Sequence, residues 1–201
     1  EPTKHQYDFD SASCVALIRK AGLENEIHLN IEVNHATLSG HSFEHEIAYA
    51  IANNALGSID INRGDNLLGW DTDQFPNNPA DLLMAFYQIF SNGGFTKGGL
   101  NFDAKIRRQS IEPEDLFYAH IGGMDVAAKT LLGVEKMIAD SELSDYIKNR
   151  YKDWNNDLGK FIHNKENNLD SVAQKVLDDN LDPRPRSGNQ EFLENMVNKY
   201  I

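Results

Sequence analysis

Apolar residues recur along the first half of the chain with two alternating kinds of spacing. Segments with apolar residues three or four positions apart, typical of amphipathic helices, alternate with short strand-like segments, and in 27–33 every second residue is apolar. The predicted helices are 10–22, 42–54 and 79–92, and the predicted strands are 27–33, 57–61 and 98–103. This αβαβαβ order predicts an α/β fold with a parallel sheet or barrel.

The pattern changes beyond residue 111, where no further strand is predicted. A helical pattern begins at Pro113 and continues through Ile138, and shorter helices are predicted over 142–151, 155–163, 169–178 and 189–200. We therefore expect an α/β domain over 1–111 and an all-helical extension over 112–201. Within the first domain, the polar segment 62–78 is predicted to be a loop, too long for a simple connector.

Composition narrows the classes of partner. The 201 residues are 40% hydrophobic, and no apolar run reaches the about 18 residues of a membrane-spanning helix. The net charge of −12 disfavours nucleic acid as a partner and favours cations or neutral ligands. Cys14 is the only cysteine, so no internal disulfide is possible. We predict a cytoplasmic protein that binds neither nucleic acid nor membrane.

Each predicted strand ends in the same order of residue types: a small polar residue, an apolar residue and an acid. The three acids are Glu32, Asp60 and Asp103. Alternate residues of a strand share a face, and the carboxyl ends of parallel strands are where α/β folds place their chemistry. These acids are therefore predicted to converge.

Three more potential ligands accompany these acids. His35 follows Glu32 by three residues, and Asp71 and Asp73 lie in the segment 62–78. Five converging carboxylates cannot all remain ionised unaided, and an oxygen-rich set with one imidazole suits Mg²⁺, Mn²⁺ or Co²⁺. The alternative is that the strand-end acids only stabilise the positive ends of the following helices.

A second histidine pair lies outside this set. His41 and His45 are four residues apart, a spacing that binds zinc on some helices, but the HExxH order is absent. We interpret these two residues as part of a surface helix.

Four segments resemble a known family, the longer class II bacterial xylose isomerases. They match that family's later metal-binding strand-loops in order and spacing. The segments are LNIEVNHATLSGH (29–41), GSIDINRGD (57–65), GWDTDQFP (69–76) and GGLNFDAK (98–105). The family is a (β/α)₈ TIM barrel with a helical C-terminal extension used in subunit contacts. The resemblance implies a partial TIM barrel, about three C-terminal βα units, followed by that extension.

The resemblance also implies roles for residues. The family interconverts aldose and ketose forms of D-xylose and D-glucose by a hydride shift assisted by two divalent metals. By the match, Glu32 would bridge the metals, Asp60 and Asp103 would hold the structural one, and His35, Asp71 and Asp73 would hold the catalytic one. The ring-opening histidine and aspartate, the substrate-polarising lysine and one glutamate ligand have no counterpart among these 201 residues. The catalytic set is therefore expected to be incomplete. The missing glutamate belongs to the structural metal, so the catalytic metal site is expected to be the more complete of the two.

Three interpretations remain open. The chain is expected to be an isomerase segment that is inactive alone, a non-catalytic metal-binding or oligomerisation module, or one half of a split isomerase. Without the resemblance, clustered carboxylates on an α/β scaffold equally indicate a divalent-metal hydrolase. Open sheet edges and apolar helix faces predict a homo-oligomer, at least a dimer, in which the helical tail is a candidate for exchange.

Overall fold

The computed structural model describes residues 2–3 and 5–201. The chain forms two compact units. One extends to Ile138 and includes Tyr200–Ile201, and the other is Ala139–Lys199. The long helix assigned above to the extension thus belongs to the first unit as far as Ile138. No helix among the described residues is both long and apolar enough to cross a membrane.

The first helix, α1 (Ser11–Ala21), begins and ends as its sequence predicts. The Asp10 side chain accepts a hydrogen bond of 2.7 Å from the backbone N–H of Ser13, which satisfies a donor of the first turn. Gly22 ends the helix in the left-handed region, with φ of 69°. Val15 and Ile18 lie on its buried face.

Three parallel strands form the central sheet, in the order β1 (Leu29–Glu32), β2 (Leu56–Asp60) and β5 (Leu100–Asn101). All three predicted strands are confirmed, although β5 has only two residues. In the register, Glu32 lies beside Asp60, and Asp60 lies beside Asn101. The α/β class with a helical C-terminal part is confirmed, while a partial TIM barrel stays a prediction.

Helices α3 (Phe43–Ala52) and α4 (Ala80–Ser91) pack against each other. Their inner faces supply much of the core, including the fully buried Ile47 and Phe86. Ile59 of β2 is also fully buried. A short helix not predicted from sequence, α2 (Val33–Leu38), follows β1 directly. The chain therefore passes from strand to helix at Glu32 without a loop.

The prediction of a loop over 62–78 is wrong. An antiparallel hairpin fills part of it, formed by β3 (Arg63–Asp65) and β4 (Trp70–Gln74). Neither strand shows alternating apolar residues, so the pairing depends on the turn, where the Asp65 carboxylate accepts two backbone N–H groups. The hairpin also packs on α2: a Cβ at Gly64 would overlap the Asn34 side chain.

The second half of the chain is helical, as predicted. Helix α5 (Pro113–Asp140) exposes several large apolar side chains, among them Phe117 and Leu132. The remaining elements are α6 (Glu142–Tyr151), a 3₁₀ turn (Lys152–Asn155), α7 (Asp157–His163), α8 (Leu169–Asp178) and α9 (Gln190–Asn198).

Candidate metal centre

Three carboxylates meet at the C-terminal edge of the parallel sheet. Glu32 ends β1, Asp60 ends β2, and Asp103 lies two residues beyond β5. One oxygen of each lies within 4.8 Å of the others. Glu32 is buried, whereas Asp103 is exposed, so an ion could reach the group from solvent. The predicted convergence of these three acids is what the sheet register produces.

Neighbouring amides fix the orientation of Asp60. The Asn30 Nδ2 donates to one carboxylate oxygen at 2.6 Å, and the Asn101 Nδ2 donates to the other at 3.1 Å. Asn30 is itself held by Ser58, whose hydroxyl donates to the Asn30 Oδ1 at 2.7 Å. The small polar residues of the strand-end pattern thus support the acid of the neighbouring strand.

A second group of ligands shares Glu32 with the first. His35 lies on the first turn of α2, with its Nδ1 2.9 Å from the Glu32 Oε2 and its Nε2 3.0 Å from the Asp71 Oδ2. Glu32, His35 and Asp71 each offer a ligand atom within 4.8 Å of the others. Glu32 therefore belongs to both groups.

Asp73 lies outside these two groups and faces a cation of the chain itself. The Lys105 Nζ is 2.6 Å from the Asp73 Oδ2, and the Lys105 backbone N–H donates to the Asp73 carbonyl. Arg107 donates to the carbonyls of Thr72 and Asp73. To act as a ligand, Asp73 would have to leave this ion pair.

Two buried asparagines that the sequence did not single out support both groups. The Asn62 Nδ2 donates to the Glu32 Oε1 at 2.5 Å and to the Asp103 carbonyl at 2.9 Å, while its Oδ1 accepts from the Asn34 backbone N–H. The Asn34 Nδ2 donates to Asp71. Each asparagine follows a strand-end acid by two residues, a repeat that offered a signal.

Burial, neighbouring negative charge and hydrogen bonding shift the pKa values of three side chains at this edge. Burial raises the pKa of Asp71, and the adjacent Asp73 and Glu32 raise it further. Burial and the charges of Glu32, Asp73 and Asp60 likewise raise the pKa of Asp103. The hydrogen bond to Glu32 raises the pKa of His35 against the opposing effect of burial. Such a site gains stability when a positive ion neutralises it.

The Asp73 carboxylate behaves differently. Burial opposes its ionisation, but hydrogen bonds from Lys105 and Asp71 outweigh this effect and hold its pKa below the ordinary value. The two ligand groups without Asp73 consist of carboxylate oxygens and one imidazole. Such a set fits Mg²⁺, Mn²⁺ or Co²⁺ better than a structural zinc ion.

Comparisons with known proteins identify sequences that the chain resembles over its whole length. Residues 147–201 match the family model described as the XylA2 C-terminal domain. All 201 residues align with the xylose isomerase of Actinobacillus succinogenes at 56% identity, with that of Photorhabdus laumondii at 54%, and with that of a Chelativorans species at 52%. The chain spans 46% of the length of each of these relatives. The chain is thus a homologue of the xylose isomerases and corresponds to the C-terminal part of their sequence.

Proposed function

We propose that these residues form the metal-binding part of an aldose–ketose isomerase acting on D-xylose and D-glucose. The observation that carries the proposal is the position of Glu32, whose carboxylate belongs to two three-ligand groups at one sheet edge. A single buried carboxylate between two such groups is the arrangement that a pair of cations needs. Homology to proteins named xylose isomerase supports the substrate class.

The roles divide along the two groups. Glu32 would bridge two cations, with Asp60 and Asp103 completing one side and His35, Asp71 and Asp73 the other. Divalent cations held there would supply positive charge to stabilise the oxygens of an open-chain sugar during a hydride shift between its first two carbons.

The surrounding residues orient the ligands. Asn62 fixes Glu32, and Asn34 fixes Asp71. His35 faces a carboxylate at each ring nitrogen, so any proton it holds is retained by acids on both sides.

Calorimetric titration of the chain with Mn²⁺ tests the metal assignment. We expect binding by the native sequence, weaker binding by Asp73→Ala, and loss of both sites in Glu32→Gln. Asp125→Ala is the matched control, because Asp125 is an exposed acid of α5 outside both groups. Equal affinity in all four proteins, or no binding by any, would overturn the assignment.

Activity separates the interpretations of the chain. The 201 residues alone should show negligible isomerisation of xylose, because the family's ring-opening pair and substrate-polarising lysine have no counterpart among them. Acid–base catalysis is worth about 10²–10⁴-fold in rate, and substrate positioning contributes more. Activity restored by adding the remaining family sequence indicates one half of a split isomerase. Metal binding without restoration indicates a non-catalytic module. Turnover equal to that of a complete isomerase refutes the expectation.

We also propose that the chain self-associates, as at least a dimer. Large apolar side chains remain exposed along α5, including Phe117 at 65% and Leu132 at 59% of their surface. Several large apolar side chains exposed on one helix are typical of an interaction surface. Light scattering coupled to gel filtration should give about twice the 22.7 kDa chain mass or more, and a stable monomer would contradict the proposal.

A further inference from the structure

We propose that His41, His45 and Glu46 form a separate site for a borderline transition-metal ion, Zn²⁺ above all. His45 and Glu46 lie in the first turn of α3, whose N-cap is Ser42, and His41 directly precedes that N-cap. They share no residue with the candidate metal centre, so the proposal is independent of the proposed isomerase function.

The three side chains converge on a common point. The His41 Nδ1 lies 2.5 Å and the His45 Nε2 lies 4.0 Å from the same Glu46 oxygen, Oε1. The centroids of the two imidazole rings are 4.7 Å apart. One ligand atom of each of the three residues lies within 4.8 Å of the others. Two imidazole nitrogens and one carboxylate oxygen can therefore reach one ion.

Glu46 is the least expected member of the cluster, because its carboxylate is buried. Only 4% of its side chain is exposed, against 33% for His41 and 55% for His45. Its Oε2 accepts a hydrogen bond of 2.6 Å from the Ser11 backbone N–H, which directs Oε1 at the imidazoles. Throughout the described part of the chain, no lysine or arginine forms an ion pair with Glu46. A buried carboxylate needs such compensation, and an ion held with the two histidines would provide it.

The donor set distinguishes this site from the oxygen-rich centre. Two imidazoles and one carboxylate are a frequent zinc ligand set, with a fourth position left for water. Zinc ligands lie about 2.0–2.2 Å from the metal, which places neighbouring ligands of a tetrahedron about 3.3–3.6 Å apart. The 2.5 Å contact between His41 and Glu46 would therefore open by about 1 Å. The half-exposed imidazoles allow both this movement and entry of the ion.

The four-residue spacing of His41 and His45 does not by itself identify the site. His41 precedes the helix, so His41 and His45 are not successive residues on one helical face. The contact of Ser11 with Glu46, 35 residues away, is what fixes the third ligand. The interpretation of the two histidines as part of a surface helix does not include the burial of the Glu46 carboxylate or its contact with Ser11.

Zinc titration of the full chain in the Glu32→Gln background, with excess Mg²⁺, tests the proposal without interference from the main centre. We expect one Zn²⁺ per chain, and at least tenfold weaker binding in His45→Ala. His163→Ala is the control, because His163 is also exposed and lies far from His45 in sequence. Unchanged zinc affinity in His45→Ala, or no zinc binding in the background protein, would overturn the proposal.

Cobalt provides a second measurement that does not depend on stability. Co²⁺ in this site should give the strong visible absorption of a four-coordinate ion, and His45→Ala should lose it. Since the His45 side chain is more than half exposed, the substitution should leave the circular dichroism spectrum unchanged. A weak six-coordinate spectrum in both proteins would contradict the proposed ligand set.

Discussion

Removal of the Asn62 side chain should disturb both ligand groups at once. Asn62 is 1% exposed, and its amide makes three hydrogen bonds: to the Glu32 carboxylate, to the Asp103 carbonyl and from the Asn34 N–H. Asn62→Ala removes all three and leaves the Glu32 carboxylate and the Asn34 N–H buried without a replacement. Since Glu32 belongs to both groups, a displaced Glu32 carboxylate should lower the affinity of both groups for cations.

The magnitude follows from the partners. A hydrogen bond to a charged group contributes about 1.5–3 kcal/mol and a neutral one about 1 kcal/mol. Together the three bonds of Asn62 give a loss of about 3–5 kcal/mol in the free energy of unfolding. Substitution of a residue that orients a metal ligand typically lowers metal affinity by about 10–100-fold.

Two measurements check this expectation on the same preparations. Urea unfolding gives the stability change, and Mn²⁺ calorimetry at a temperature where the variant is folded gives the affinity. Asn77→Ala is the matched control, because Asn77 is an exposed asparagine of the same segment. Mn²⁺ affinity equal to that of the native sequence in a folded Asn62→Ala protein would refute the positioning role of Asn62.

Two further predictions concern helix ends and helix packing. Hydrogen bonds from Ser13 hold the pKa of Asp10 below its ordinary value despite the opposing effect of burial. Asp10→Ala should therefore cost about 1 kcal/mol at pH 7, and the difference from the native sequence should shrink as the pH falls through this lowered pKa. An equal difference in unfolding free energy at pH 7 and pH 2 would contradict this role. Gly133→Ala should lower the free energy of unfolding by about 1–3 kcal/mol, because a Cβ there would overlap the Tyr200 carbonyl. Gly122→Ala, on the same helix but in open space, should raise it by about 0.5–1 kcal/mol. Urea unfolding of both variants checks the pair, and equal effects would show that the overlap is relieved at no cost.

Elements with strong local signals were predictable from the sequence. Helix α1 follows from its apolar spacing, its Asp10 cap and Gly22, and α5 from its long helical pattern after Pro113. The hairpin over 63–74 was not predictable in this way. Its strands lack an apolar face, and they pair because a turn and the neighbouring α2 hold them together. Such tertiary effects leave no periodic pattern in the sequence.

The site divides in the same manner. The strand-end acids could be placed from their repeat, because parallel strands carry equivalent positions to one edge. The ion pair between Asp73 and Lys105 could not be predicted in this way, since it depends on how the hairpin is oriented toward the residues after β5. Asn34 and Asn62 each follow a strand-end acid by two residues, but asparagine is common in loops, and this repeat alone does not predict that both side chains are buried.

The position of Glu32 in two ligand groups has a thermodynamic consequence for the binding of two cations. A first cation would fix the orientation of this carboxylate for the second, but it would also withdraw negative charge from it. By reciprocity, the factor by which one ion changes the affinity for the other is the same in both directions. If two cations bind there as proposed, their occupancy would follow two coupled stepwise constants instead of two separate isotherms. The ratio of those constants would measure how far the benefit of a pre-oriented bridge exceeds the repulsion between the ions that share it.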